Sequence, residues 1–307
     1  MTDPTATNAA QGQADTAKLT VNGKEAELPL LDAVDGNPAI DISTLTKQTG
    51  YTALDYGFVN TSSTKSAITY IDGDEGILRY RGYPIEELAS GSTFLEVAYL
   101  LIYGELPTED QLDEFDQEIR RHTLLHEDMR YYFEGIPPTA HPMAALSGGI
   151  QTLSTYYESS LDPSFVEVNT IRLLAKLPVL AAYSHKKSVG QAFLYPKNDL
   201  GFVENFLRLN FGNKAEDFEI NSVLVDALDM LFILHADHEQ NCSTNAVRSV
   251  GSSQVDPYSA VAAGVAALYG PLHGGANEAV LRMLEEIGDV KNIPAFIESV
   301  KSGKGGS

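Results

Sequence analysis

From Pro84 onward the chain repeats one device: a hydroxyl residue followed three positions later by Glu or Gln, leading into apolar residues at helical spacing. Thr93 with Glu96, Thr108 with Gln111 and Ser164 with Glu167 all have the spacing of a capping box. In that motif the hydroxyl takes the N3 backbone N–H, and the N3 side chain reaches back to the N-cap N–H. A chain punctuated this way must pack helix on helix, because every amphipathic stripe needs a partner to bury it. Helices are expected near 93–103, 108–126, 141–158, 164–187, 201–211, 221–237, 257–269, 275–288 and 293–301. Before Pro84 the pattern differs. Leu19-Thr20-Val21 and Ala26-Glu27-Leu28 flank Asn22-Gly23, a pair suited to a two-residue hairpin turn. Further strand-like pieces lie near Tyr56 to Val59 and Ser66 to Ile71. The expected fold class is mainly α, a multi-helix body over 84–300 behind a short β-rich segment over 19–83. Residues 1–18 read as a disordered polar tail, and 301–307, rich in Gly, Ser and Lys, as a flexible one.

Composition narrows the class of partner. With 307 residues, 43% of them hydrophobic, the chain is long enough to bury a sizeable core. A formal net charge of −21 with no basic stripe argues against nucleic acid, whose phosphates need cations opposite them. No apolar run reaches the length needed to span a bilayer, and the first eighteen residues lack the basic start and apolar block of a secretory signal. No membrane partner is therefore expected. The single cysteine, Cys242, fits a reducing cytoplasm and reads best as a small buried thiol filling a helix end.

Two segments carry candidate chemistry. Gly270-Pro271-Leu272-His273-Gly274-Gly275 sets one imidazole among glycines at the start of a helix near Gly275. Glycine lets the backbone approach a ligand closely, and the helix start aims unpaired N–H groups and the positive dipole end at the same spot. That field disfavours imidazolium, so a neutral His273 is suited to donate to an oxygen gaining negative charge. Upstream, Leu234-His235-Ala236-Asp237-His238-Glu239-Gln240-Asn241-Cys242-Ser243-Thr244 closes an apolar run from Val223. Spacing of three is expected to put His235 and His238 on one helical face at a negative C-terminal end, which favours protonated rings and an anionic substrate. His-x-x-His with a nearby acid falls short of the usual zinc ligand sets, so no metal is expected.

The two segments together resemble the oxaloacetate-facing part of citrate synthase in its bacterial form. Ile68 to Ile85 resembles the start of that family's large domain, and Tyr99 to Pro107 the helix after it. The likeness continues through Arg121-His122-Thr123, His141-Pro142-Met143 and Arg172 to Lys176, covering about Leu19 to Val300. The resemblance implies a citrate synthase-like large domain. It also implies condensation of acetyl-CoA with oxaloacetate and water to citrate and CoA, the first step of the tricarboxylic acid cycle. Acetyl-CoA would be a co-substrate, with no further cofactor. His273 matches the histidine that hydrogen-bonds the thioester oxygen of the enol or enolate. His238 matches a histidine contacting oxaloacetate, with His235 supporting it. In hexameric members a basic pair resembling Arg172 and Lys176 binds NADH as an allosteric inhibitor. A homodimer or hexamer packed through large-domain helices is implied as well, and the small-residue run Ala260 to Leu268 is either core or part of that interface. Arg120, Arg121, His122 and His126 lie on one amphipathic helix and read as a solvated or interface face.

The family's ketone-polarising histidine and catalytic aspartate would fall beyond Ser307, as would its carboxylate-clamping arginines. Arg248 and Arg282, the arginines near the two motifs, match no clamp position. The chain is therefore expected to be a truncated, inactive large-domain fragment. The alternatives are a 2-methylcitrate synthase, which differs in acyl-chain pocket, or a non-catalytic chain that dimerises and binds dicarboxylates.

Overall fold

The structure, a computed structural model, describes residues 15–157 and 160–303. The chain divides into two compact units at Ile85–Glu86.

The first unit is built from two small antiparallel sheets. Strands β1 (Thr16–Val21) and β2 (Lys24–Leu31) pair with Val21 opposite Lys24, so Asn22 and Gly23 alone form the turn. Their φ values of 50° and 75° are those of the two-residue turn whose twist matches the strands. Strand β3 (Ala39–Ile40) adds to β2. Helix α1 (Leu45–Thr49) follows, closed by Gly50 at φ 82° with its N–H on the Thr46 carbonyl. Leu45 shares a small core with Ala26 and Leu28 of β2. The second sheet runs β4 (Thr69–Asp72), β5 (Ile77–Tyr80) and β6 (Tyr83–Pro84) in sequence order. Two expectations are corrected here. Thr16–Lys18 begin β1 instead of extending a tail, while 1–14 and 304–307 lie outside the described residues. The piece near Tyr56 is a 3₁₀ turn over Tyr56–Phe58, because Gly57 at φ 76° and Phe58 at φ 57° are left-handed and no strand accommodates that.

The second unit is helical: α2 (Ile85–Gly91), α3 (Phe94–Tyr103), α4 (Glu109–His122), α5 (Met129–Gly135), α6 (Pro142–Leu153) and α7 (Val166–Ser188). There follow α8 (Phe202–Phe211), α9 (Ser222–Leu234), α10 (Cys242–Gly251), α11 (Pro257–Leu268), α12 (Gly275–Ile287) and α13 (Ile293–Lys301). Thr93 and Thr108 form complete capping boxes with Glu96 and Gln111. Ser164 does not. A 3₁₀ turn over Pro163–Phe165, capped by the Asp162 carboxylate, precedes α7 and places Ser164 before the helix starts. The helix expected to reach 158 ends at Leu153 and continues as a 3₁₀ turn over Ser154–Tyr156.

The main core joins α5, α6, α7 and α11 through Phe133, Ile150, Leu180 and Tyr258, all fully buried. Ser147 Oγ of α6 donates to the Ala262 carbonyl of α11 at 2.8 Å. The small-residue run therefore serves as core within this chain: Ala260, Ala262 and Gly264 are buried. On α11, Gly264 meets α10 so closely that an added Cβ would lie 2.6 Å from Val247 Cγ2 and 3.5 Å from the Ser243 carbonyl oxygen. The absent side chain is what lets α10 and α11 pack, and that packing sets the height of Ser243 above α11.

Candidate functional site

Helix α11 ends at Leu268, and the chain turns at once into α12. The Gly270 carbonyl accepts from both the His273 N–H, at 3.0 Å, and the Gly275 N–H, at 3.1 Å. The Ala276 N–H goes to the His273 carbonyl and the Asn277 N–H to that of Gly274. The expectation of unpaired helix-start N–H groups facing a ligand is thereby corrected: at Gly275, Ala276 and Asn277 they are consumed by the turn itself. The glycines have a different task from the one expected. A Cβ at Gly274 would fall 2.5 Å from the Leu268 carbonyl oxygen, and one at Gly275 2.9 Å from that of Gly270. Both are glycine so that the turn can fold back onto the end of α11.

His273 is half-buried, and its ring is held from a distant part of the sequence. The Ser243 hydroxyl, in the first turn of α10, lies 2.8 Å from His273 Nε2. Ser243 is itself positioned by Asn241, whose side-chain oxygen accepts from the Ser243 N–H at 2.8 Å and the Thr244 N–H at 3.0 Å, an N-cap that starts α10. Neither Ser243 as a partner of His273 nor α10 as a separate helix was among the sequence expectations. The Asn-x-Ser-Thr pattern, an N-cap residue before a hydroxyl-bearing first turn, was the available signal.

His235 and His238 do not share a helical face. Helix α9 ends at Leu234, His235 is its C-cap, and Glu239 takes the left-handed φ of 54°. His235 Nδ1 sits 2.8 Å from the Leu231 carbonyl. A carbonyl only accepts, so Nδ1 carries the proton and the ring caps its own helix. His238 lies exposed in the loop beyond, with its carbonyl accepting from Asn241 Nδ2 at 3.3 Å. Asp237 closes that loop by taking the Glu239 N–H at 2.9 Å. Cys242 is exposed at the start of α10, which corrects the expectation of a buried thiol.

A second histidine, His141, braces the turn from the other side. Its Nδ1 accepts from the Met143 N–H at 3.2 Å and so caps α6. That leaves the proton on Nε2, which points at a Glu278 carboxylate oxygen of α12 at 3.3 Å. The ring also packs on Tyr269, with centroids 4.3 Å apart. Glu278 is shared with Arg282, and Arg248 is exposed in the last turn of α10.

Arg172 and Lys176 are not a surface pair. Lys176 is 3% exposed and its ammonium donates to the carbonyls of His122, at 2.5 Å, and Leu124. Burial, with a smaller contribution from the Arg172 charge, brings its pKa down to about 8. Arg172 lies over the Tyr157 ring at 4.4 Å and donates to Asn169 Oδ1 at 3.0 Å. Arg120 is likewise built in: it pairs with Asp116 at 2.6 Å and reaches the carbonyls of Asn198 and Leu200. Among the described residues no group of three or more His, Cys, Asp or Glu is gathered to hold a metal ion, and no helix is long and apolar enough to cross a membrane.

The helical body, with its turn histidine held by a serine from the start of α10, is matched by known proteins of one family. Residues 57–306 match the family model for the citrate synthase C-terminal domain. Citrate synthase 1 of Mycobacterium tuberculosis is 56% identical over 296 residues, 95% of this chain and 69% of that protein. A solved citrate synthase from Pyrobaculum aerophilum superposes with a TM-score of 0.72 at 32% identity, over 95% of this chain and 67% of that one. One from Thermoplasma acidophilum, solved in ternary complex with carboxymethyl coenzyme A and oxaloacetate, gives a TM-score of 0.75 at 27% identity over 82% and 66%. The chain belongs to the citrate synthase family, an enzyme family, and spans about two thirds of the length of these relatives.

Proposed function

We propose that this chain carries part of the machinery that condenses acetyl-CoA with oxaloacetate and water to give citrate and CoA. His273 is the group that steadies the thioester oxygen. Removing a proton from the acetyl methyl puts negative charge on that oxygen, and a hydrogen-bond donor fixed in place beforehand is often the largest single contribution to such a step. The observation that carries this reading is the Ser243–His273 bond, which anchors the ring through Nε2 and leaves Nδ1 as the nitrogen available to substrate. It also ties the His273 turn to the loop that bears His238, five residues before Ser243 in sequence. In this reading exposed His238 contacts an oxaloacetate carboxylate or ketone, and His235 supports it by closing α9. The enolate carbon then attacks the oxaloacetate ketone, and water cleaves the thioester to release CoA. The compartment is the cytoplasm, and the assembly is a homo-oligomer.

We assign neither the base nor the ketone polariser to a residue of this chain. Asp237, a carboxylate beside His238, is already engaged with the Glu239 backbone. The chain by itself is accordingly proposed to turn over no acetyl-CoA. The experiment follows thioester absorbance on mixing acetyl-CoA, oxaloacetate and highly purified chain, with His273→Ala in parallel. No loss above the parallel sample is expected. Thioester loss that vanishes in His273→Ala would overturn the inactivity and place a base among the residues present.

A further inference from the structure

We propose that a cleft between α3, α4 and the start of α7 binds an organic ammonium ion, an aliphatic amine whose methylenes lie on aromatic rings and whose charge faces carboxylates. The cleft holds about 440 Å³, within the range of small-molecule sites, and is distinct from the His273 turn in the residues that line it. Its aromatic wall is made by Tyr99, Tyr103 and Phe115. The Tyr99 and Tyr103 ring centroids are 4.4 Å apart, and both rings meet Phe115 edge-on, at 5.4 and 6.1 Å. Three carboxylates stand around this wall: Glu114 and Glu118 from α4, and Glu167 from the first turn of α7. Among the described residues no Lys, Arg or His lines the cleft.

The occupant follows from charge and surface together. Glu118 is committed to Arg121, with His122 Nε2 3.7 Å away. Glu114 and Glu167 form no ion pair among the described residues, which leaves the cleft negative. An anion is repelled there. A bare metal ion needs several ligand side chains converging on one point, and no group of three or more His, Cys, Asp or Glu so converges among the described residues. A neutral apolar molecule would desolvate the carboxylates without compensation. An alkylammonium satisfies both walls, since ring faces attract cations and also bury methylenes. Tyr103 donates its hydroxyl to Glu167 at 3.2 Å, which holds that carboxylate against the ring wall. Burial, then the Glu167 charge, push the Tyr103 phenol up to about 12, so it remains a neutral donor at any physiological pH.

Calorimetric titration of the full chain with spermidine at low ionic strength tests the site, with hexaamminecobalt(III) as a trivalent cation lacking methylenes. One-to-one saturable binding of spermidine is expected, with the cobalt complex at least about tenfold weaker. Glu114→Gln and Glu167→Gln should each weaken spermidine by about fivefold, Tyr99→Leu by a similar factor, and Tyr103→Phe, which keeps the ring, by no more than about twofold. Equal binding of both cations, or spermidine binding indifferent to the glutamate variants, would reduce the interaction to general attraction by an acidic surface and overturn the proposal. Circular dichroism checks each variant. Glu114 is exposed on α4, so Glu114→Gln decides the matter even if Tyr99→Leu fails to fold.

Discussion

Ser243 and His273 stand thirty positions apart in the chain, and their side chains meet at 2.8 Å. One hydrogen bond thus joins the start of α10 to the turn before α12 and decides which nitrogen of the imidazole is left for other work. Ser243→Ala should free the ring while leaving the glycine turn closed. We expect the His273 Nε2 resonance to move and broaden in nitrogen-15 spectra, and the melting temperature to fall by about 2 °C, in line with about 1 kcal/mol for a hydrogen bond. An unchanged Nε2 signal would mean the serine does not hold the ring in solution.

Gly264 sets the distance between α10 and α11, so adding a single methyl there should be felt at the site. In a free helix Gly→Ala gains up to about 1 kcal/mol. Here the new carbon would sit 2.6 Å from a methyl of Val247, a stiff β-branched side chain. Overpacking of this kind costs about 1–3 kcal/mol and outweighs the gain. Urea unfolding of Gly264→Ala should show a net loss, accompanied by the same His273 spectral change as in Ser243→Ala. A gain in stability would show that α10 yields freely.

Cys242 is exposed at the first position of α10. One equivalent of a disulfide reagent should therefore react with the native chain without denaturant, at a rate close to that of the unfolded chain. Slow reaction, accelerated only by urea, would indicate a covered thiol. The same exposure makes thioester absorbance a cleaner measure of acetyl-CoA turnover than a thiol-reactive dye.

Lys176 provides a pH signature. Its folded pKa, about 8, lies below the ordinary value of 10.5, so burial penalises the charged form and the folded chain releases its proton first. Between those two values the unfolded state binds more protons, and stability must rise with pH through that window. Below pH 8 the penalty is fully present. Subtracting the unfolding free energies of Lys176→Met from those of the parent should give a difference that climbs from about pH 8 to 10.5. A flat difference would mean the ammonium is solvated where it sits.

Much of the helical body was legible because its signals are local. Thr93 and Thr108 start helices by hydrogen bonds spanning three residues, and the Asn22-Gly23 hairpin rests on two φ angles. The failures arose where the third dimension decides. Ser164 has the capping-box spacing, but Asp162 and Pro163 start a 3₁₀ turn first. His235 and His238 have helical spacing, yet the helix stops at Leu234 because the His235 ring takes the Leu231 carbonyl. The burial of Lys176 was not legible, because nothing local announces that the end of α4 and the residues after it will lay their carbonyls over the ammonium. For the site itself, the Gly270 to Gly275 motif located the histidine, whereas its partner Ser243 emerges only from the packing of α10 on α11.

The Gly270 carbonyl, which takes two N–H groups of the turn at once, bears on the timing of order in this molecule. A loop that arranged itself around each arriving ligand would lose conformational freedom at every encounter, and affinity would fall accordingly. Here the backbone from Gly270 to Gly275 is already closed upon itself. The entropy of fixing it is lost once, when the chain folds, so under the proposed function the substrate meets a turn that is already ordered.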